Sequence, residues 1–287
     1  MINQMKSVLQ PGLYLVSTPI GNMGDLSFRG LDILKNASII ACEDTRITGK
    51  LLSRHAVDTK MTSYHDHNAA RKRPKLLNII KKGGSVALVS DAGTPAIADP
   101  GYRLVNDCIK LNYSVTATPG ANAAITALII SGLPTDRFLF AGFLNSKSFQ
   151  RSKELALLST VPATLIFYES PRRLATALRD MSTTLGDRPA AIARELTKLH
   201  EEVKRGTLSE LASYYSTAGP PKGEVVMVIG PPIKKTALSR DTLDQLILKS
   251  LKNKSVRDVS AELALETGVP KRKIYMRAIK LAKLIAC

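Results

Sequence analysis

The chain has 287 residues, 44% of them apolar and 23% charged, which suits a folded protein of about two domains and excludes general disorder. Its 41 Lys and Arg against 24 Asp and Glu leave a formal net charge of +17. A surplus of that size points to a polyanion, either nucleic acid or an anionic membrane surface; the bland alternative is a charge serving solubility.

Met1 to Pro11 holds a single Lys and no apolar run of signal-peptide length. From Leu13 onward, short apolar runs alternate with segments of helical period. Leu13–Ser17 predicts a strand and Leu26–Ala37 a helix, followed by a strand over Ser38–Glu43 and a helix over Thr45–His55. Strands at Ser85–Ser90 and Ser114–Thr118 flank a helix over Tyr102–Leu111. Ala121–Leu133, the most apolar stretch, is 13 residues interrupted by Thr126, Ser131 and Gly132, so it reads as a buried helix too short to span a bilayer. Beyond Gly132-Leu133-Pro134 come strands at Phe138–Phe143, Ala163–Glu169, Ala190–Arg194 and Val225–Ile229, with helices over Arg172–Leu185 and Leu208–Tyr215. The near-continuous apolar runs predict strands buried on both faces, and the alternation predicts α/β architecture. The inner boundary falls within Gly120–Arg137, giving α/β domains over 12–120 and 121–232.

After Gly230-Pro231-Pro232 the pattern turns wholly helical and basic. Lys234–Cys287 carries 13 Lys and Arg against 5 Asp and Glu, a net +8 that leaves +9 for the rest of the chain. Helices are predicted over Asp241–Leu251, Val256–Thr267 and Lys271–Ile285, forming a module over 238–287. Ser255 with Asp258 resembles a capping box, Gly268 supplies a stop, and Pro270 suits the next first turn, which together predict a helix-turn-helix arrangement. Ile274, Ala278, Leu281 and Ile285 share one face, with Arg272, Lys273, Lys280 and Lys283 roughly opposite. That basic face suits phosphates or is simply solvated.

Cys42, Cys108 and Cys287 are scattered and odd in number, without metal-ligand spacing or a disulfide framework, so a reducing cytoplasm is expected and no metal. Cys42 and Cys108 are expected to be buried small hydrophobes. Three loops beyond predicted strands are rich in Gly, Pro and small polar residues: Ser17–Asn22, Ser90–Gly101 and Thr118–Ala123. Each alone reads as an ordinary turn, but three in corresponding places suit a ligand approached by bare backbone. No G-x-G-x-x-G follows a strand, and no phosphate-loop, His-x-x-x-His or G-x-S-x-G motif occurs.

Leu13–Asn22 (LYLVSTPIGN), Glu43–Arg46 (EDTR), His65–Asn68 (HDHN) and Ala87–Gly101 (ALVSDAGTPAIADPG) open a series of further matches. It continues through Pro119-Gly120, Ala124–Leu128, Gly132–Phe138, Leu165–Ser170 (LIFYES) and Ala193–Lys198 (ARELTK). In this order, over about residues 12 to 230, the chain resembles the tetrapyrrole-methylase superfamily of S-adenosylmethionine-dependent methyltransferases. Within it, EDTR, SDAGTP and FYES resemble the branch that acts on small-subunit ribosomal RNA. The tail after Leu238 resembles the helix-turn-helix module appended to those enzymes.

The resemblance implies two α/β domains of the tetrapyrrole-methylase type, with the methyl donor S-adenosylmethionine in the cleft between them. It implies 2′-O-methylation of a cytidine ribose in 16S ribosomal RNA, as naked RNA or in the small subunit, by a homodimer. Carried over by motif, Pro19 and Gly21 stand in the first donor loop, Ser90, Ala92, Gly93, Thr94 and Ile97 in the glycine-rich loop, and Asn122 and Ala123 in the third. Tyr168, Glu169 and Leu196 match positions bordering the adenosine. Gly93-Thr94-Pro95 departs from the G-D-P usual in tetrapyrrole methylases, which argues against a porphyrin substrate. A small acidic substrate and a non-catalytic RNA-binding relative are the competing readings.

Methyl transfer from a sulfonium is an in-line displacement needing no metal, and a ribose hydroxyl needs its proton removed as it attacks. Asp44, Asp91, Glu169 and Glu195 stand at or beyond predicted strand ends and are the candidate carboxylates. The alternative for each is a helix cap or an ion pair with a neighbouring Arg. Arg46 and Arg194 suit the phosphate beside the target. Arg71, Lys72 and Arg73, with Lys75, form a basic patch that suits RNA or is a solvated helix start. His65-Asp66-His67 is expected on the RNA side rather than as a metal site.

Overall fold

Central strands of unbroken apolar sequence need cover on both faces, and the first half of the chain supplies it. In this computed structural model, residues 9–98, 101–232, 240–267 and 269–285 are described, with the side chains of all but 240–242, 265, 266 and 283–285. Strands β1 (Gly12–Val16), β2 (Ile39–Cys42), β3 (Met61–Ser63), β4 (Ser85–Val89) and β5 (Val115–Thr118) form a wholly parallel sheet in the order β3-β2-β4-β1-β5. Every residue of central β4 is buried. Val86 and Leu88 project into a core with Leu13, Tyr64, Leu76, Ile80 and Leu104, beneath helices α3 (Ala69–Lys81) and α4 (Tyr102–Lys110). Ala87 and Val89 project the other way, among Val16, Ile33, Leu34, Ile40 and Leu52, beneath α1 (Phe28–Asn36) and α2 (Thr45–Arg54). The period-two alternation of one strand thus serves two layers of helices.

The second sheet is built differently. Its strands β6 (Phe138–Phe143), β7 (Thr164–Glu169), β8 (Pro189–Arg194), β9 (Glu202–Thr207) and β10 (Val225–Ile229) lie in the order β6-β7-β10-β8-β9. Only β6 and β7 pair in parallel; β10 is antiparallel to both β7 and β8, and β8 to β9. Helix α5 (Ala123–Ser131) packs on one face through Ala124, Ala127 and Leu128 against Ile166, Ala191, Ala193 and Val228. On the other face α6 (Ser148–Leu158), α7 (Leu174–Leu185) and α8 (Leu208–Ala218) cover Leu165, Phe167, Ile192 and Met227. Arg151 of α6, 3% exposed, bonds Asp180 of α7 at 2.5 Å and the Asn145 and Ser146 carbonyls at 3.0 Å. It is a satisfied buried ion pair joining two helices.

The elements that the sequence pattern does not announce are hidden for identifiable reasons. β3 and β9 are edge strands with one face open, and sequences such as Glu202–Thr207 (EVKRGT) carry no continuous apolar run. Pro74 and the surrounding basic residues mask α3, and the core-facing Arg151 blurs the apolar face of α6.

The chain divides into two compact units, residues 1–232 and 233–287. In the second, α9 (Arg240–Leu251), α10 (Val256–Thr267) and α11 (Lys271–Ile285) match the predicted helices and enclose their own core of Ile247, Val259, Leu263, Ile274, Ala278 and Leu281. Ser255 Oγ accepts the Asp258 N–H at 3.2 Å, capping α10, and Arg277 Nε donates to Asp244 at 2.7 Å, tying α11 to α9. Gly268, the expected stop, lies outside the described residues, as does Cys287. Cys42 and Cys108 are fully buried, and burial pushes both thiols up to about 11. Among the described residues, no helix is long and apolar enough to cross a membrane.

Candidate functional site

All five strands of the first sheet run the same way, so the loops following them meet at one edge. Thr18 and Gly93 exchange backbone N–H···O bonds of 2.9 and 3.0 Å, and Thr18 Oγ1 donates to the Ser90 carbonyl at 3.2 Å. Thr94 Oγ1 donates to the Ala121 carbonyl at 3.1 Å and lies 3.2 Å from Ser17 Oγ, so one hydroxyl links all three predicted loops. Two glycines permit this closeness. Gly93 has φ +80°, and a Cβ on Gly120 would stand 2.6 Å from Ser17 Cβ. Asn122 then caps α5 by accepting the Ile125 N–H at 3.1 Å. Ala96 and Ala98, at φ 68° and 59°, are held left-handed, a local strain of about 1 kcal/mol or more each.

A cavity of about 360 Å³ opens beside these loops, within the size range of small-molecule sites. Ile20, Ala92, Gly93, Thr94, Ile97, Ala98, Asn122 and Ala123 line it from the first three loops. Phe143, Tyr168, Glu169, Ser170, Pro171 and the run Gly223–Val226 line it from the second sheet. Tyr168 is fixed edge-on between Phe140 and Phe143, with ring centroids 4.9 and 5.5 Å away. The amino end of β10 reaches the cavity because that strand is antiparallel: Val225 pairs with both Glu169 and Arg194, the last residues of β7 and β8. Gly223–Val226 precede or open a strand rather than follow one, and no local signal in the sequence announces the reversal.

Of the predicted donor-binding residues, Ala92, Gly93, Thr94, Ile97, Asn122, Ala123 and Tyr168 meet at the cavity. Pro19 and Ser90 are buried and do not line it, and Leu196 joins the core beside Ile20. Gly21 lies under the loop that follows β8. A Cβ there would be 2.4 Å from Lys198 Cγ, and the neighbouring Asn22 N–H donates to Thr197 Oγ1 at 3.1 Å. In that loop Glu195 and Thr197 are left-handed, at φ 50° and 64°.

The predicted carboxylates are mostly engaged. Asp44 caps α2 and is grasped by Arg46, with hydrogen bonds of 2.5 to 3.1 Å; these hold its carboxyl at about 2. Asp91 accepts the Asp44 N–H at 3.0 Å, and burial pushes its carboxyl above the ordinary value. Glu169 has a fully covered side chain: Oε1 takes Arg173 at 2.5 Å and the Ser170 N–H at 2.6 Å, while Oε2 is buried without a hydrogen-bond partner among the described residues. Glu195 Oε1 takes Lys198 Nζ at 2.8 Å and the Glu224 N–H at 3.0 Å, which lower its proton affinity. Arg194 pairs with Glu202 at 3.0 Å and donates to the Lys222 carbonyl at 3.2 Å. Of these groups only Glu169 lines the cavity. Glu224, which no sequence motif marks, also lines it, with its side chain 79% exposed.

On α3, Arg73 pairs with Asp107 at 2.7 Å and Lys72 donates to Thr62 at 2.9 Å, whereas Arg71 and Lys75 are exposed. His65 Nε2 sits 2.9 Å from the Asn68 amide, whose other hydrogen bonds fix the loop after β3. In the helical unit, Arg272, Lys273 and Lys280 are exposed opposite the buried Ile274, Ala278 and Leu281, while the side chain of Lys283 lies outside the described residues. Among the described residues, no group of three or more His, Cys, Asp or Glu is placed to hold a metal ion.

The family profile of tetrapyrrole (corrin/porphyrin) methylases matches residues 12–212. The sequence is 48% identical over 274 residues to the ribosomal RNA small subunit methyltransferase I of Mesorhizobium japonicum, covering 95% of this chain and 93% of that protein. It is 40% identical over 273 residues to the protein of the same name from Bacillus subtilis, covering 92% of each. Among solved structures, the fold is similar to uroporphyrin-III C-methyltransferase from Thermus thermophilus complexed with S-adenosylhomocysteine. There the TM-score is 0.54 at 19% identity, covering 76% of this chain and 97% of that one. A cobalt precorrin-4 methyltransferase of cobalamin biosynthesis gives a TM-score of 0.57 at 15% identity, covering 80% and 98%.

Proposed function

The chain belongs to the tetrapyrrole (corrin/porphyrin) methylase family, and from that premise we propose that it transfers a methyl group from S-adenosylmethionine to the 2′-hydroxyl of a cytidine ribose in 16S ribosomal RNA. The near-full-length similarity to ribosomal RNA small subunit methyltransferase I carries this reading. The cavity suits the donor. Its floor is bare backbone at Gly93 and its walls are apolar at Ile20, Ile97 and Val226, so a flat adenosine meets amides and carbonyls without steric conflict. Ala92, Gly93, Thr94, Ile97, Asn122, Ala123 and Tyr168 are the residues proposed to hold it, with Pro19, Gly21, Ser90 and Leu196 supporting them from outside the lining. When bound, S-adenosylmethionine supplies an electrophilic methyl group on a positively charged sulfur.

The protein's part is to hold the acceptor in line and to manage its proton and phosphates. Arg46 is 87% exposed and backed by Asp44, so its guanidinium faces outward as a phosphate ligand. Arg71 and Lys75 add to that charge, and Arg272, Lys273, Lys280 and Lys283 supply more within the helical unit. Glu169 acts by positioning, since its covered carboxylate fixes Arg173 and the turn after β7. The same reading places the reaction in the cytoplasm and includes the homodimer implied by the resemblance.

The test is transfer of labelled methyl from S-adenosylmethionine to small ribosomal subunits and to naked 16S RNA, with nucleoside analysis of the product. Label is expected in a 2′-O-methylated cytidine whose 3′ linkage resists alkali. No incorporation above a donor-free control, with protein that still binds the donor, overturns the reading.

A further inference from the structure

Of the two carboxylates that line the cavity among the described residues, Glu169 is fully covered and committed to Arg173, whereas Glu224 is open at the mouth. Its place is built by neighbouring strands. Gly223 is left-handed at φ +92°, and a Cβ there would overlap the Glu195 carboxyl at 2.3 Å, so only glycine lets Glu195 lie against this backbone. Glu195 then accepts the Glu224 N–H at 3.0 Å and returns its own N–H to the Glu224 carbonyl at 3.0 Å. Lys198 Nζ stands between the two acids, 2.8 Å from Glu195 and 2.9 Å from Glu224. Its stem meanwhile crosses Gly21 of the first loop.

We propose that Glu224 is the general base of the methyl transfer and that Lys198 is the positioning residue that holds its carboxylate in place at the cavity mouth. This rests on the reading of the acceptor as a ribose hydroxyl. The proton passes from the ribose oxygen to Glu224 as the oxygen's electron pair forms the new O–CH₃ bond. The S–CH₃ pair stays on sulfur, which becomes a neutral thioether, and Glu224 returns the proton to solvent from its exposed position. Around it Glu169 pairs with Arg173, Arg194 with Glu202 and Glu195 with Lys198, while Glu224, paired with Lys198 on one side, keeps its side chain 79% exposed. Glu224 is therefore the carboxylate at this mouth with access to an incoming hydroxyl.

The experiment compares Glu224→Gln and Lys198→Met with the parent enzyme in single-turnover methylation of small subunits, alongside calorimetric titration with S-adenosylmethionine alone. Glu224→Gln is expected to slow transfer by about 100-fold with donor affinity within about twofold of the parent. Its residual rate should climb about tenfold per pH unit between about pH 7 and 9 as hydroxide takes over, where the parent is flat. Lys198→Met should keep that flat profile at a rate reduced by roughly tenfold. A Glu224→Gln rate within about threefold of the parent, or a donor affinity that falls in parallel with the rate, overturns the proposal. Failure of the parent to yield 2′-O-methylcytidine would instead overturn the reading of the acceptor, so the two failures are told apart.

Discussion

The two five-stranded sheets of the larger unit flank one cavity but furnish it by different rules. The first is wholly parallel, so every strand ends at the same edge and Ser17–Asn22, Ser90–Gly101 and Thr118–Ala123 arrive there together. The second is mixed, so the cavity receives the carboxyl end of β7 and the amino end of β10 side by side. The parallel edge presents backbone, glycine and hydroxyl groups, which suit holding a ligand by shape. The mixed edge presents aromatic rings and charged side chains, Tyr168 and Phe143 with Glu224 and Lys198, which suit reaction and positioning. Sheet direction thus decides which kind of group can be placed where.

That division of labour is open to measurement. Arg151→Ala should show the largest effect on stability, because Asp180 is left partly buried without its counter-ion. A loss of about 3 kcal/mol in denaturant melts is expected, with the parallel-sheet loops and hence donor affinity per folded molecule unchanged. Gly93→Val should break the other side. A β-branched residue at φ +80° is strained by about 2 kcal/mol and its Cβ meets Ile20 at 3.3 Å, so donor affinity read by calorimetry should fall by at least about tenfold. Thr94→Val removes the hydroxyl linking the three loops, and a stability loss of about 1 kcal/mol with a few-fold weaker donor binding is expected.

The smallest effect concerns acid. Arg46's hydrogen bonds hold the Asp44 carboxyl at about 2, below its ordinary 3.8, so Asp44 favours the folded state above the unfolded value and loses that contribution as pH falls from about 4 to about 2. Asp44→Asn should flatten the acid limb of stability in that window and leave the profile above about pH 5 unchanged. An unaltered acid limb would show that the Asp44–Arg46 pair is screened to nothing in solution.

The basic tail offers a matching comparison between the two units. Arg272, Lys273 and Lys280 are exposed opposite a packed face. Replacing all three with Ala should weaken RNA binding and reduce the magnitude of its log–log salt slope by about two, roughly 0.7 for each phosphate no longer neutralised, while the donor titration stays put. A parallel fall in donor affinity would mean that the tail supports the larger unit's structure instead.

The sequence by itself determined the central strands, most of the helices that cover them, the three loops beyond the parallel strands and the three-helix basic module. Each of those is written in local patterns: unbroken apolar runs, 3.6-residue periods, and Gly or Pro where the chain turns. The loops that carry Gly93, Thr94 and Asn122 were legible because loops beyond parallel strands converge wherever the sheet is parallel, while the choice of those residues came from the family resemblance alone. Edge strands β3 and β9 were not, since one open face removes the apolar run that marks a strand. Only the tertiary structure decided that β10 runs backwards between β7 and β8, that Glu169 is sealed against Arg173, and that Glu224 stands open at the cavity. Those facts depend on which strand pairs with which and in what direction, and the free energy that settles them lies in interactions between residues far apart along the chain.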